Sequence, residues 1–545
     1  MAEEHYEINQ PAPLNVLDDT KKHFTWRQVR TLLISSTGFF MDAYDIFIIN
    51  LVTPMLGYVY YKDNNNKMPS GIQGPFKGMV SFGQLCGQLT FGFLGDAFGR
   101  KAIYGLELGI IILATINCAT AASAAVGVGA VGFLGFWRFF LGFGIGGDYP
   151  MSSTVASEWA SAGRRGQMVS LIFAMQGVGQ VAAALVTMIL LAIFKGAINS
   201  NVDNLDYVWR ICIGFGAVPA VMTIYGRLTL PESPRYSVNV KQDEEAARHA
   251  LERTASFRRR SSVRDPEKDR ETHPETEEVS VLASKSHFAK WKNLKVLLGC
   301  SLCWFFMDIA FYGTNLNQAI ILSLMGFAPR GAGAWDTLFK QALGNLILSL
   351  LGALPGYFVT VFLIERIGRL PIQYTGFVLV GVLFIILGAA WTPIRDTSVA
   401  LFIVLFAIAQ FFFNFGPNST TFVLPAEVFP TRHRAKAHGI ASASGKLGAI
   451  IATFCFNVLA DVGGPQGEGT FIWGVLIIFG CLMLICVVFT HWIPETKGKS
   501  LDYFESLDDQ IGLTRQPSVP TLSKDSAPRH QDASIPLERI SPQSR

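Results

Sequence analysis

Apolar residues in this chain gather into long blocks parted by short polar turns. Blocks long enough to cross about 30 Å of hydrocarbon as a helix begin near residues 31, 75, 102, 129, 167, 208, 295, 337, 371, 399, 435 and 470. The pattern predicts an all-α membrane protein of twelve spanning helices. They stand six and six around a charged stretch containing "FRRRSSVRDPEKDRETHPETEE". That stretch lacks apolar periodicity, which predicts a solvated linker over residues 232–292. The expected order is a polar segment 1–30, a first half 31–231, the linker, a second half 293–493 and a tail 494–545. The Pro, Ser and Gln content of the tail predicts disorder for most of it.

Composition agrees with the pattern. Half of the 545 residues are hydrophobic and only 16% are charged, with a mean hydropathy of +0.34. This is far from a soluble globular composition. The formal net charge of +4 matters less than where the charges stand. Turns after even-numbered spans carry Arg100 and Lys101, Arg164 and Arg165, Arg366 and Arg369, and Arg432, Arg434 and Lys436. Turns after odd-numbered spans are poor in Lys and Arg, which places both termini and the linker in the cytosol. "TKKHFTWRQVR" leads straight into the first block, so that block reads as an uncleaved span. All eight cysteines lie in apolar blocks. Cys300 and Cys303 have a redox or metal spacing, but no second ligand pair follows, and they read as small polarizable residues on a helix. No metal site, cofactor or nucleic-acid partner is expected. No nucleophile–base pair stands at an exposed position, so the chain is not expected to be an enzyme.

Charge inside the spans is what carries chemistry. An ionised side chain at the bilayer centre costs at least about 2.5–3.5 kcal/mol, so each needs a partner or a task. Span 1 carries Asp42 and Asp45, three apart and hence on one face. Span 3 carries Glu107, and span 4 carries Arg138 and Asp148, the latter within "GGDYPMSSTVASE". Arg138 is a candidate partner for Glu107 or Asp148. In span 7, Trp304, Asp308 and Tyr312 are spaced four and four, which turns the helix to within about 80° of two full turns and points all three one way. Lys446 lies midway along span 11, between Gly445 and Gly448. Gln176 and Gln180 lie in span 5, and Asn414 and Asn418 flank Pro417 in span 10. Gln180 and Asn414 read as interhelical glue, worth about 0.6 kcal/mol on average. Buried carboxyls can carry protons. Tyr149, Gln176, Trp304, Tyr312 and Asn418 are mainly donors and Lys446 is a cation, a set suited to an oxyanion. Asp308 fits beside an anion only if that anion brings protons of its own, as dihydrogen phosphate does and sulfate does not.

The halves echo each other. "GFLGDAFGRK" (Gly92–Lys101) after span 2 is matched by "FLIERIGR" (Phe362–Arg369) in the second half, and related halves mark alternating-access transporters. These turns resemble the signature loops of the major facilitator superfamily. "PESPR" (Pro231–Arg235) and "PETKG" (Pro494–Gly498) resemble its sugar-porter-like branch. "GFFMDAYDIFIIN", "GGDYPMSSTVASE", "AEVFPTRHRAKAHGI" and "SASGKLGAI" are similar to the signatures of fungal and plant phosphate:proton symporters.

That resemblance implies a plasma-membrane importer of inorganic phosphate, with protons as the coupling ion; arsenate, similar in shape and protonation, is an expected further cargo. It implies that Tyr149, Gln176, Trp304, Asp308, Tyr312 and Asn418 line the phosphate site. It implies that Asp45 (or Asp42), Glu107, Arg138 and Asp148 move protons, and that Lys446 partners the Asp308 region. Two alternatives stand beside it. One is a proton-coupled sugar transporter, against which span 7 lacks a glutamine-rich pattern; the other is a phosphate transporter that also signals.

Overall fold

The computed structural model describes residues 26–122, 129–229, 233, 237, 287–327, 333–464 and 469–499. Most of the predicted linker and tail, and residues 1–25, lie outside the described residues. Twelve long helical elements account for most of the described residues: α1 Trp26–Tyr60, α2 Ser70–Phe98, α3 Arg100–Ala119, α4 Ala130–Trp159, α5 Arg165–Ile193 and α6 Val202–Leu228, then α7 Trp291–Asn315, α8 Ala334–Ile367, α9 Arg369–Ala389, α10 Val399–Val428, α11 Arg434–Ala460 and α12 Ile472–Thr490. Among the described residues ten of these are long and apolar enough to cross a membrane. The other two are α2, whose polar Lys77, Gln84 and Gln88 are turned inward and buried, and α3, with a shorter apolar run from Ile103 to Ala119.

Packing repeats from one set of six to the other. In the first, α1 packs on α5, α2 on α4 and α3 on α6; in the second, α7 packs on α11, α8 on α10 and α9 on α12. The same pairing twice over is what related halves produce. The halves meet through α2 against α11 and α5 against α8. Within the first half, glycine permits α2 and α4 to approach closely. A Cβ on Gly83 or Gly87 would strike the α4 backbone at Phe139 and Phe143, and one on Gly142 or Gly146 would strike α2 at Val80 and Gln84. Small residues facing each other let membrane helices touch backbone to backbone.

Helix breaks set the site. In α10 the helix stops at Asn414 and restarts at Pro417. Proline has no N–H to give, and its ring suits the first position of the new segment. The freed Asn414 carbonyl accepts from the Thr360 hydroxyl at 3.0 Å and the Ser419 hydroxyl at 2.6 Å. Such side-chain repair is what makes a broken helix tolerable in lipid. The break brings Asn418 inward. α6 is likewise two segments, Leu205–Gly214 and Ala217–Leu228, and α8 widens by a turn at Ser349–Ala353.

Candidate functional site

Span 7 supplies the first wall as its spacing predicts. Asp308 Oδ2 accepts from Lys446 Nζ at 2.9 Å, and Lys446 also donates to the Tyr312 hydroxyl at 2.8 Å. Gly445, beside the lysine, holds Trp304 in place by lacking a side chain. A Cβ there would stand 2.9 Å from both Trp304 Cγ and Asp308 Oδ2. Tyr149 on α4 faces the same cation from the other half, with Lys446 Nζ 5.2 Å from its ring centroid. Asn418 Nδ2 donates to Tyr357 at 2.6 Å and to Asn414 Oδ1 at 2.8 Å. The latter bond makes Asn414 a support for Asn418. Gln176 is buried with its Oε1 accepting no hydrogen bond among the described residues. The adjacent Gly177 lies against the Tyr357 ring. None of these side chains is more than 3% exposed.

Aromatic rings close the space around them. Phe422 stacks on Phe173 at 4.5 Å and meets Phe39, Tyr149, Trp304 and His438 edge-on. On the other side Phe47 stacks on Tyr312. Phe173, Tyr357, Phe422 and His438 escape a sequence reading because they bear no charge in the membrane and resemble core residues.

A second polar cluster lies nearby in the first half. Arg227 on α6 donates to Glu107 Oε1 at 2.8 Å and to Asp148 Oδ2 at 2.5 Å. Ser152 donates to the other Asp148 oxygen. The Tyr104 ring covers the guanidinium at 4.4 Å, and its hydroxyl bonds Ser35 and Ser152. Asp42 faces this group, within electrostatic reach of Asp148, Arg227 and Glu107. Its two oxygens have no hydrogen-bond partner among the described residues.

One expectation changes here. Arg138 is not the cation of Glu107 or Asp148. It stands ten residues ahead of Asp148, about 15 Å along α4, and its carboxylate neighbour is Asp45. Asp42 and Asp45 share a helix face but keep different company. Asp45 accepts from Thr115 at 3.3 Å and presses on Gly216 at the α6 bend, where a Cβ would collide with it. Arg227 itself went unread because it adjoins the "PESPR" turn and looks like a flanking basic residue. Its signal lay in geometry. Long side chains on a helix lean toward the N-terminus, which at the end of α6 means back into the bundle.

Both ends of the bundle are tied across the halves. At the end bearing the basic turns, Arg100 bonds Glu158 at 3.0 Å and the Thr431 carbonyl at 3.2 Å. There too, Asp96 accepts from the Lys436 amide. At the opposite end Lys77 donates to the Leu316 carbonyl at 2.8 Å and Asn317 Oδ1 at 3.1 Å, and Asn50 bonds Asn345. The central groups are therefore sealed from both faces.

Two six-helix halves closed around a buried cation, carboxylates and donors define a membrane carrier of the major facilitator kind. A family model described as "Sugar (and other) transporter" matches residues 31–507, and the chain belongs to that family. Among similar proteins is a repressible high-affinity phosphate permease of Neurospora crassa, 40% identical over 95% of this chain and 93% of its own. An inorganic phosphate transporter of Saccharomyces cerevisiae is 40% identical over 91% of this chain and 86% of its own. A low affinity inorganic phosphate transporter of Petunia hybrida is 36% identical over 90% and 94%. Among solved structures, the proton:xylose symporter XylE aligns with a TM-score of 0.66 at 20% identity, covering 88% of this chain and 98% of its own. The last similarity concerns the fold.

Proposed function

We propose that this protein imports inorganic phosphate with protons across the plasma membrane by alternating access, with both termini in the cytosol. One observation carries the reading: Lys446 is held by Asp308 and Tyr312 in a sealed centre, facing Tyr149 of the other half. The names of relatives similar over nearly their whole length support phosphate as the cargo.

The chemistry follows from the donors and acceptors. Without cargo, the lysine ammonium is neutralised by Asp308, which avoids a lone buried charge. An arriving dihydrogen phosphate takes hydrogen bonds from Lys446, Tyr312, Tyr149 and Asn418 through its bare oxygens. Its P–OH groups donate to Asp308 and to the open Gln176 Oε1. Sulfate has no proton for either acceptor and meets Asp308 as a like charge. Arsenate shares the shape and protonation of phosphate and competes with it. Protons load on the carboxyls around Asp148 from the outer side, the halves rock, and cargo and protons leave inside. A sugar would leave the Lys446–Asp308 charges without a counterpart, which favours the phosphate reading.

Uptake of labelled phosphate by proteoliposomes holding the purified protein tests this. Phosphate enters, unlabelled arsenate competes, and glucose and sulfate do not. Competition by glucose with no phosphate entry would overturn the reading.

A further inference from the structure

The Arg227 bridge has a charge balance that the phosphate site does not use. Three carboxyl groups from three helices, Asp42 of α1, Glu107 of α3 and Asp148 of α4, face one guanidinium. Every one of these side chains is at most 1% exposed. Among the described residues, the other groups hydrogen-bonded around it are hydroxyls, with Ser152 donating to Asp148 and Tyr104 bonding Ser35 and Ser152. Three ionised carboxylates against one cation would leave two uncompensated charges in a water-poor interior, which is strongly disfavoured. A fixed guanidinium stabilises the charged form of the carboxyls beside it. Arginine stays protonated throughout, so it serves as a standing charge and gives up no proton.

We infer that Arg227 is the positioning residue that sets how many protons the Asp42–Glu107–Asp148 cluster carries. It keeps the equivalent of one carboxylate ionised and leaves two carboxyls to load and release. Its two hydrogen bonds also fix Glu107 and Asp148 in space. Asp42, which has no tie to Arg227 like those of Glu107 and Asp148 and lies within electrostatic reach of Tyr149, is the exchangeable member. Gly38 belongs to the same device. The α1 backbone lies so close to the bridge that a Cβ would collide with Arg227 Nη2 and Asp148 Oδ2. A shift of α1 against α4 and α6 within this half therefore bears directly on the ion pair, and ties proton occupancy to the position of α1.

This inference rests on the proton-coupled reading above, and its test separates the two. Proteoliposomes are loaded at a series of internal pH values with the external pH held constant. Net uptake of labelled phosphate is compared with phosphate–phosphate exchange, which needs no net proton release. Removing the guanidinium raises the proton affinity of the carboxyls, so their release into the lumen demands a higher internal pH. For Arg227→Gln, net uptake falls about tenfold or more relative to exchange, and its internal-pH midpoint moves up by about one unit. Arg227→Lys keeps the charge but spans only one carboxylate, and its midpoint moves less in the same direction. If the glutamine variant fails to assemble, the lysine variant alone carries the reading. An unmoved midpoint and an unchanged ratio of uptake to exchange in the assembled variants would overturn the inference. Wild-type uptake indifferent to the pH difference would instead overturn the coupling reading itself.

Discussion

At the scale of single residues, the site depends on what is absent as much as on what is present. Gly445 leaves room for Trp304 and Asp308, and overpacking such a place costs about 1–3 kcal/mol. Gly445→Ala is expected to lower phosphate uptake about tenfold while the chain still inserts, measured by uptake per mole of reconstituted protein. The Lys446–Asp308 pair gives a sharper prediction. Lys446→Ala strands a buried carboxylate and should destabilise by about 3–5 kcal/mol. Adding Asp308→Asn to it should restore much of that loss in thermal unfolding, because the stranded charge goes too. Asp308→Asn alone should lose most phosphate uptake, since an amide is a poorer acceptor of P–OH and leaves Lys446 unneutralised. The charged candidates were visible in the sequence because charge in an apolar block is conspicuous. Their partners were harder to read. Arg227 looked like a turn residue, and the two aspartates of α1 could not be told apart, because their company is decided by neighbouring helices.

Helices and their breaks form the next scale. The twelve apolar blocks foretold the elements, since crossing a membrane requires a long apolar run whatever packs beside it. The first helix begins at Trp26, ahead of its apolar block, and short helices such as Gln318–Leu324 occupy turns. Such details depend on tertiary contacts. A proline, Pro417, stands at the break in α10, whereas the wide turn at Ser349–Ala353 has no proline of its own to signal it. The break should be functional. Pro417→Ala restores an N–H and favours a continuous α10, which carries Asn418 away from Tyr357. Phosphate affinity is expected to weaken by about tenfold, as an unmet polar pair costs about 1–3 kcal/mol. Competition binding with labelled phosphate measures it.

For the whole molecule, closure at both ends is the notable property. Lys77 holds one end through the Leu316 carbonyl and Asn317, while Arg100, Glu158 and Thr431 hold the other. Alternating access requires these ties to break in turn. Lys77→Met should loosen its end, and a Gln318→Cys probe beside the tie, in a cysteine-free background, should then react several-fold faster with an impermeant thiol reagent. The halves, their repeat and the family were legible in the sequence because turn motifs recur at matching places. Which face is tied by which residue was not, since it depends on contacts between α2, α7 and α11. Under the proposed function, phosphate and protons move together. Labelled phosphate uptake into proteoliposomes under an imposed inward proton gradient tests it most directly. The account predicts accumulation that follows the gradient and collapses when a protonophore is added. Phosphate entry at the same rate and to the same level with and without the gradient would contradict it.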